Sequence, residues 1–385
     1  MRVCLLTLDF PPFRSSGLTI YAEKTATGLA ERGHAVTVVA SQRPRSEQVE
    51  DTPPPEPISV VRVPIGRLDW IGFGWQAARY LSRYGDDFDV IHFADVHFAY
   101  AYRGSYVASA FQSFRQRLTS HHGRPYRTGQ RDLVFRLVYY NAARWLMEGP
   151  AVRRARYVLV SSRATRHEFI AHYGLEPDRT SLVYPGIKVD RFSKLSGRTE
   201  TAERLGLAGD VPTLLYVGFS TPRKGVEYLA QALSVMETPA QLIMVGKWEE
   251  EYQESFVNRL GDARSRVYIT GYVPDAKLPD YFAVADTFVF PTLLEGFGFP
   301  LVEAMAAGVP VVTTTGGSAS EIVGEAGLIV PVGDSLELAA ALDRVLTEPN
   351  LARRLGQAGR VRARALFDER RVAADIEAIY DRLAR

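Results

Sequence analysis

Glu295 and Glu303 frame the stretch EGFGFPLVE, and their types and spacing suggest a ligand. A carboxylate accepts two hydrogen bonds at once, which suits neighbouring hydroxyls of a ribose or a hexose. Gly296 and Gly298 let the backbone come close to a ligand, and Pro300 suits the first turn of a helix. Helix-opening amides beside glycines bind an anion without any side-chain charge. Carboxylates repel phosphate, so the glutamates should address neutral hydroxyls while the amides address phosphate. Those parts together describe a nucleoside diphosphate sugar. The plainer alternative is that Glu303 complements a helix dipole and Glu295 caps a turn. A second group, Arg223 and Lys224 in VGFSTPRKGVEYL, follows a strand and opens a helix. The dipole disfavours cations there, which makes sense if an anion sits between them and the amides. Otherwise they are two solvated surface cations.

The elements that must hold these residues follow from the rest of the chain. Its 385 residues are 46% apolar and 23% charged, with a formal charge of +2 and one cysteine, Cys4. That length predicts two domains, and that composition excludes a disordered chain, a fibre and a disulfide scaffold. A lone cysteine fits a reducing cytosol. The start MRVCLLTLDFPP does not read as a signal peptide, and no apolar run approaches the roughly 20 residues of a membrane span. The expectation is a cytoplasmic protein whose membrane contact, if any, is peripheral at the inner face.

Buried strands alternate with amphipathic helices. Val3 to Leu8, HAVTVVAS, ISVVRVP and FDVIHF read as strands, and Leu18, Ala22, Ala26, Leu29 and Ala30 form one helical stripe. TLLYVGF, QLIMVG, RVYITGYV, DTFVFP, VPVVTTT and LIVPVG repeat the pattern, with a helix predicted over TPRKGVEYLAQALSVM. This predicts an α/β fold of two tandem Rossmann-like, doubly wound domains facing a cleft, with the boundary near Pro185 to Leu195. Ligands bind such sheets at the C-terminal strand ends, where both groups of candidate residues lie.

The second half resembles the donor domain of retaining nucleotide-sugar glycosyltransferases of the GT-B fold, family-four type. The resemblance is carried by EGFGFPLVEAMAAGVPVV, GYVPDAKLPDYFAVADTFVFP, GGSASEIVG and AGLIVPVGD, and more weakly by DFPPFRSSG and LAERGHAVTVV at the start. It implies that residues 1–188 plus 370–385 form an acceptor-binding domain with a crossover helix, and residues 189–369 a donor-binding domain. It implies that Glu295 binds the sugar hydroxyls, with Phe297, Gly298 and Phe299 alongside and amides from Phe297 and Gly298. Glu303 would hold the ribose, Lys224 the diphosphate, and Tyr272 and Val273 would line the base. Gly17, in the first loop, would close over the diphosphate. Two positions depart from the pattern. Phe219 stands where the family has an arginine, which Arg223 could replace, and Ser16 stands where it has a glycine. His122, beside His121 and before Gly123, best fits the family's histidine facing the reacting carbon.

The resemblance implies retaining, metal-independent transfer of a hexosyl group from a nucleoside diphosphate sugar, with UDP the expected carrier, to an acceptor hydroxyl. Lys224, Glu295 and His122 would be its catalytic residues. No metal or other cofactor is expected: no Asp-x-Asp motif follows an early strand, and His121 and His122 lack further ligands at zinc spacing. Two alternatives are a nucleotide-sugar isomerase or epimerase and a non-catalytic nucleotide-sugar-binding protein. A nicotinamide dehydrogenase is disfavoured, because the first strand leads into no Gly-x-Gly-x-x-Gly. Residues 103–166 carry 13 arginines, no lysine and two acids, Asp132 and Glu148, a local balance of +11. An anionic acceptor (phosphorylated or lipid-linked), an anionic membrane surface and a solvated arginine-rich face all fit that balance. No nucleic-acid-binding module accompanies the charge.

Overall fold

The computed structural model describes residues 1–13, 16–43, 53–65, 69–119, 130–193, 195 and 197–384. Two compact units divide them. One holds Met1–Thr119, the described residues up to Gly186, and Glu369 onward; the other holds Ile187–Asp368.

The first unit is built on seven parallel strands: β1 (Arg2–Thr7), β2 (Ala35–Gln42), β3 (Ser59–Pro64), β4 (Val90–Phe93), β5 (Val107–Ala110), β6 (Tyr157–Val160) and β7 (Thr180–Leu182). Their order is β3-β2-β1-β4-β5-β6-β7. The central strands are buried and mostly apolar because helices cover both faces, as in β1, where Val3 to Leu6 are all buried. Helix Gly17–Glu31 buries Ala22, Ala26 and Leu29, as its spacing predicts, and also Tyr21, Thr25 and Gly28. The wider face exists because the terminal helix Glu369–Ala384 lies against it. A Cβ on Gly28 would stand 2.7 Å from the Cβ of Ala373, so only glycine allows this approach. Tyr380 of that helix bonds His92 Nδ1 at 2.6 Å, His92 Nε2 meets Ser109 Oγ at 2.8 Å, and Ser109 meets Tyr21 at 2.6 Å. Burial pushes His92 down to about 3, so this core histidine is neutral.

The second unit has six parallel strands: β8 (Thr213–Val217), β9 (Gln241–Val245), β10 (Val267–Gly271), β11 (Thr287–Phe290), β12 (Val311–Thr314) and β13 (Gly327–Val330). Their order is β10-β9-β8-β11-β12-β13. Winding reverses between β8 and β11, which makes the C-terminal ends of these two strands the switch point of the sheet, where folds of this kind bind ligands. Both sheets have the Rossmann-like, doubly wound arrangement.

One expected element breaks in two. The segment after β8 forms a short 3₁₀ turn, Pro222–Lys224, and the helix starts only at Val226. Gly225 separates them at φ +64, a left-handed conformation that costs glycine little. A Cβ at Gly225 would also lie 2.2 Å from the carbonyl oxygen of Pro291, so the β8 and β11 loops touch backbone to backbone. Lys224 therefore precedes the helix rather than sitting in its first turn.

Candidate active site

Three loops at the C-terminal ends of β8, β11 and β12 build the site in the second unit. The β11 loop, Pro291 to Gly298, feeds helix Phe299–Ala307, which has Pro300 in its first turn and Gly298 ahead of it at φ +94. The first bond of that turn runs from Leu301 N to Gly298 O at 3.0 Å, so the amides before it have no carbonyl ahead of them in the helix. The β8 loop is tied to the β11 loop. Leu293 N donates to Arg223 O at 2.9 Å, and Arg223 Nη1 donates to Leu294 O at 2.6 Å.

The side chains then converge. Lys224 Nζ donates to Glu295 Oε2, and Arg223 Nη1 lies 3.7 Å from the same oxygen. Gly296 N donates to Glu295 Oε1 at 3.1 Å. Lys224 Nζ also sits 4.7 Å from the ring centre of Phe290. Burial raises the Glu295 carboxyl, but the two cations outweigh it and hold it down at about 2. Burial lowers the Lys224 ammonium to about 8 against the pull of Glu295. At neutral pH the pair is ionic.

The two groups that stand 71 residues apart in the chain meet in the fold. Glu295, expected at neutral hydroxyls, is the anion that Lys224 and Arg223, expected at phosphate, hold in this structure. A phosphate at Lys224 must share the ammonium with Glu295 or displace it.

The β12 loop supplies parts with no chemistry of their own. Ser318 N donates to Glu295 O at 3.0 Å, and Ser318 Oγ reaches Glu295 O and Phe297 O, both at 3.2 Å. Gly317 has φ +64, and its Cβ would fall 2.3 Å from Glu295 O. GGSAS thus locks the backbone that aims Glu295. The paired glycines were a visible signal, but their target is known only from the fold.

Glu303 lies deeper, in the second turn of helix Phe299–Ala307, and is buried. Burial raises its carboxyl to about 8, and Asp275 adds to the rise while Arg191 opposes it. Arg191 and Asp275 themselves pair at 2.6 Å. Sequence reading missed both, since they are far apart in the chain and carry no motif. Phe297 and Phe299 are buried and meet edge to face at 5.1 Å, with Phe367 packed on Phe297 at 5.7 Å. Tyr272, just past β10, is exposed, with Lys247 Nζ 5.5 Å from its ring centre; Val273 follows it, half-buried.

In the first unit, Gly17 opens helix Gly17–Glu31. Ser16 before it is extended, at φ −161, so this place does not require a glycine. Phe219 is half exposed, and Arg223 brings a guanidinium to within 3.7 Å of Glu295. His121 and His122 lie outside the described residues. The nearest preceding strand, β5, ends at Ala110 and is followed by helix Phe114–Thr119. His97 is absorbed in a buried ion cluster, with Nδ1 2.5 Å from Asp95 and Nε2 2.8 Å from Glu148.

Known proteins give this arrangement a family. The model of glycosyl transferases group 1 matches residues 197–362, and that of glycosyltransferase family 4 matches residues 15–191. A GDP-mannose-dependent alpha-(1-6)-phosphatidylinositol monomannoside mannosyltransferase from Mycolicibacterium smegmatis is 30% identical over 379 residues, covering 92% of each chain. Sucrose-phosphate synthase from Thermosynechococcus elongatus superposes with a TM-score of 0.79 over 99% of this chain and 98% of its own, at 23% identity. Anabaena HepE in complex with UDP-glucose superposes with a TM-score of 0.75 over 99% of both chains, at 19% identity. The last two speak for the fold alone. Joined to two doubly wound sheets and a charged loop cluster at a switch point, the matches show that the chain is an enzyme and belongs to the family-four glycosyltransferases of the GT-B fold.

Proposed function

We propose that this enzyme transfers a hexosyl group from a nucleoside diphosphate sugar to an acceptor hydroxyl, with retention at the sugar carbon and without a metal ion. The observation that carries the reading is the convergence of Lys224, Arg223 and Glu295 at the switch point of the second sheet, beside the opening of the helix that bears Glu303. Negative charge grows on the departing diphosphate, where Lys224, Arg223 and the amides near Phe297, Gly298 and Phe299 stabilise it. Glu295 orients sugar hydroxyls and Glu303 the ribose, while Tyr272 and Val273 line the base. On this reading residues 189–369 bind the donor. Residues 1–188 and 370–385 bind the acceptor, with Gly17 and His122 as functional residues. Retention is taken over from the family resemblance.

Two donors have specific support. The UDP-glucose complex of a structural neighbour favours uridine. The relative named as GDP-mannose-dependent favours a mannosyl donor on guanosine. That relative's name, with the arginine balance of residues 103–166, supports a phosphorylated or lipid-linked acceptor. A thermal-shift panel of UDP- and GDP-linked hexoses separates the donors, since a ligand that binds only the native state raises its melting temperature. Incubation with the labelled donor then yields transfer, an epimer or nothing, and only transfer supports the proposal. NMR of the product anomer tests retention, and full turnover in a chelator tests metal independence.

A further inference from the structure

The arginine-rich segment admits three readings on sequence alone, and the structure separates its two faces. Helix Gln130–Ala143 continues through a π-helical turn, Arg144–Glu148, into helix Gly149–Arg154. Its inner face is held at several points. Trp70 Nε1 donates to Tyr139 at 3.0 Å, Tyr140 lies 5.6 Å from the Phe114 ring, and Ala143 is buried. The Glu148 carboxylate is wholly buried, accepts from Phe114 N at 3.1 Å and meets His97 at 2.8 Å.

The outer face presents Val134, Leu137, Val138, Trp145 and Leu146, with 59%, 43%, 64%, 60% and 75% of their surfaces exposed. Steps of three, four and seven residues put most of these side chains on one stripe. Soluble surfaces scatter such residues singly, and a row of them on one helix marks an interaction face. Charge identifies the partner. The Arg144 guanidinium lies 4.8 Å over the Trp145 ring, and the exposed Arg117 flanks the helix, 5.7 Å over Phe114. Glu148, one of only two acids among 13 arginines in this stretch, is turned inward. Apolar side chains including a tryptophan, flanked by Arg144 and Arg117, suit a helix lying in the plane of a membrane interface. The apolar face enters the acyl boundary, and the guanidinium groups meet lipid phosphates. Among the described residues no helix is long and apolar enough to cross a membrane, so such contact would be in-plane.

We propose that this face docks the protein on an anionic bilayer surface. The proposal goes beyond the transfer reaction, because docking needs neither donor nor acceptor.

The test is co-sedimentation of the full chain, without nucleotide, with vesicles of phosphatidylcholine alone or with about one third phosphatidylglycerol. The protein should partition onto the anionic vesicles, less onto the neutral ones, and less as salt rises. The double change Trp145→Glu and Leu146→Glu should cut that partition about tenfold or more, with an unchanged thermal melt. Arg144→Gln should weaken binding to anionic vesicles and leave neutral ones unaffected. Should the double variant misfold, brominated lipid must quench wild-type fluorescence by an increment that Trp145→Phe loses. Absence of partition at low salt, full partition by a folded double variant, or no Trp145-dependent quenching would overturn the proposal. So would a concentration-dependent dimer in sedimentation velocity that the double change dissolves while vesicles stay unbound, which would assign the face to a second copy.

Discussion

Lys224 and Glu295 hold each other in a nearly dry position, so each controls the charge of the other. Because burial lowers Lys224 to about 8, the free enzyme loses this cation as pH rises through that value. kcat/KM should therefore fall above about pH 8. Lys224→Arg should shift or abolish this descending limb, because a guanidinium does not titrate there. Lys224→Ala should cost about 100- to 1000-fold in kcat/KM, as for the loss of one transition-state charge partner. If the limb is unchanged in Lys224→Arg, another group titrates there.

Glu303 poses the opposite problem. Burial lifts its carboxyl from 4.5 to about 8, so the unfolded chain ionises first. Its contribution is fully present below 4.5 and is lost as pH rises toward 8. At pH 7 the wild type thus carries a penalty of about 3 kcal/mol at most, by the linkage of 1.36 kcal/mol per pKa unit. Glu303→Gln should melt higher than wild type at pH 7.5 and equal it near pH 4.5, while its stabilisation by nucleotide shrinks. A variant that melts lower and binds nucleotide as before would refute both the burial argument and the ribose role. An acidic side chain kept neutral at such cost points to function rather than packing.

At the scale of elements, the β12 loop is a backbone clamp on the β11 loop. Gly317→Ala meets two obstacles, a left-handed φ of +64 and a Cβ 2.3 Å from the carbonyl of Glu295. The strain should cost about 1–3 kcal/mol and push Glu295 off its aim. The expected signature is a fall in kcat greater than the rise in KM, measured on the donor chosen by thermal shift. Gly206 also has positive φ, at +65, but its Cβ would meet nothing within 4 Å. Gly206→Ala should therefore lose stability without that kinetic change. Equal kinetics in the two variants would show that the clamp does not aim Glu295.

Across the whole molecule, each unit has its own parallel sheet and its own buried core. Every residue assigned to the donor from Arg223 to Glu303 lies in the unit Ile187–Asp368. A nucleoside diphosphate should therefore raise the unfolding transition of that unit first. Calorimetry should show one transition moving with nucleotide concentration while the other stays nearer its place. Limited proteolysis should assign the moving one to Ile187–Asp368. A nucleotide that moves only the transition of the other unit would contradict the donor assignment.

Local pattern in the chain was enough for the alternation of strands and helices, for the parallel character of both sheets, and for EGFGFPLVE at the end of a strand. Strands covered on both faces must be apolar throughout, and a proline behind glycines marks a helix start, so these features are written within a few residues of one another. The same pattern misled at TPRKGVEYLAQALSVM, where periodicity runs through Gly225 but the backbone does not. The break is imposed by the carbonyl of Pro291, distant along the chain and adjacent only in the fold. The pairing of Glu295 with Lys224 across 71 residues, the Arg191–Asp275 pair near Glu303 and the clamp by Ser318 were likewise illegible. Strand order brings these residues together, and no local period records which strand lies beside which. The helix bearing Trp145 shows the same division. Its charge balance was countable in the chain, but which face carries the apolar stripe was settled by the contacts of Tyr139, Ala143 and Glu148, because a helix acquires an inside only when something packs against it.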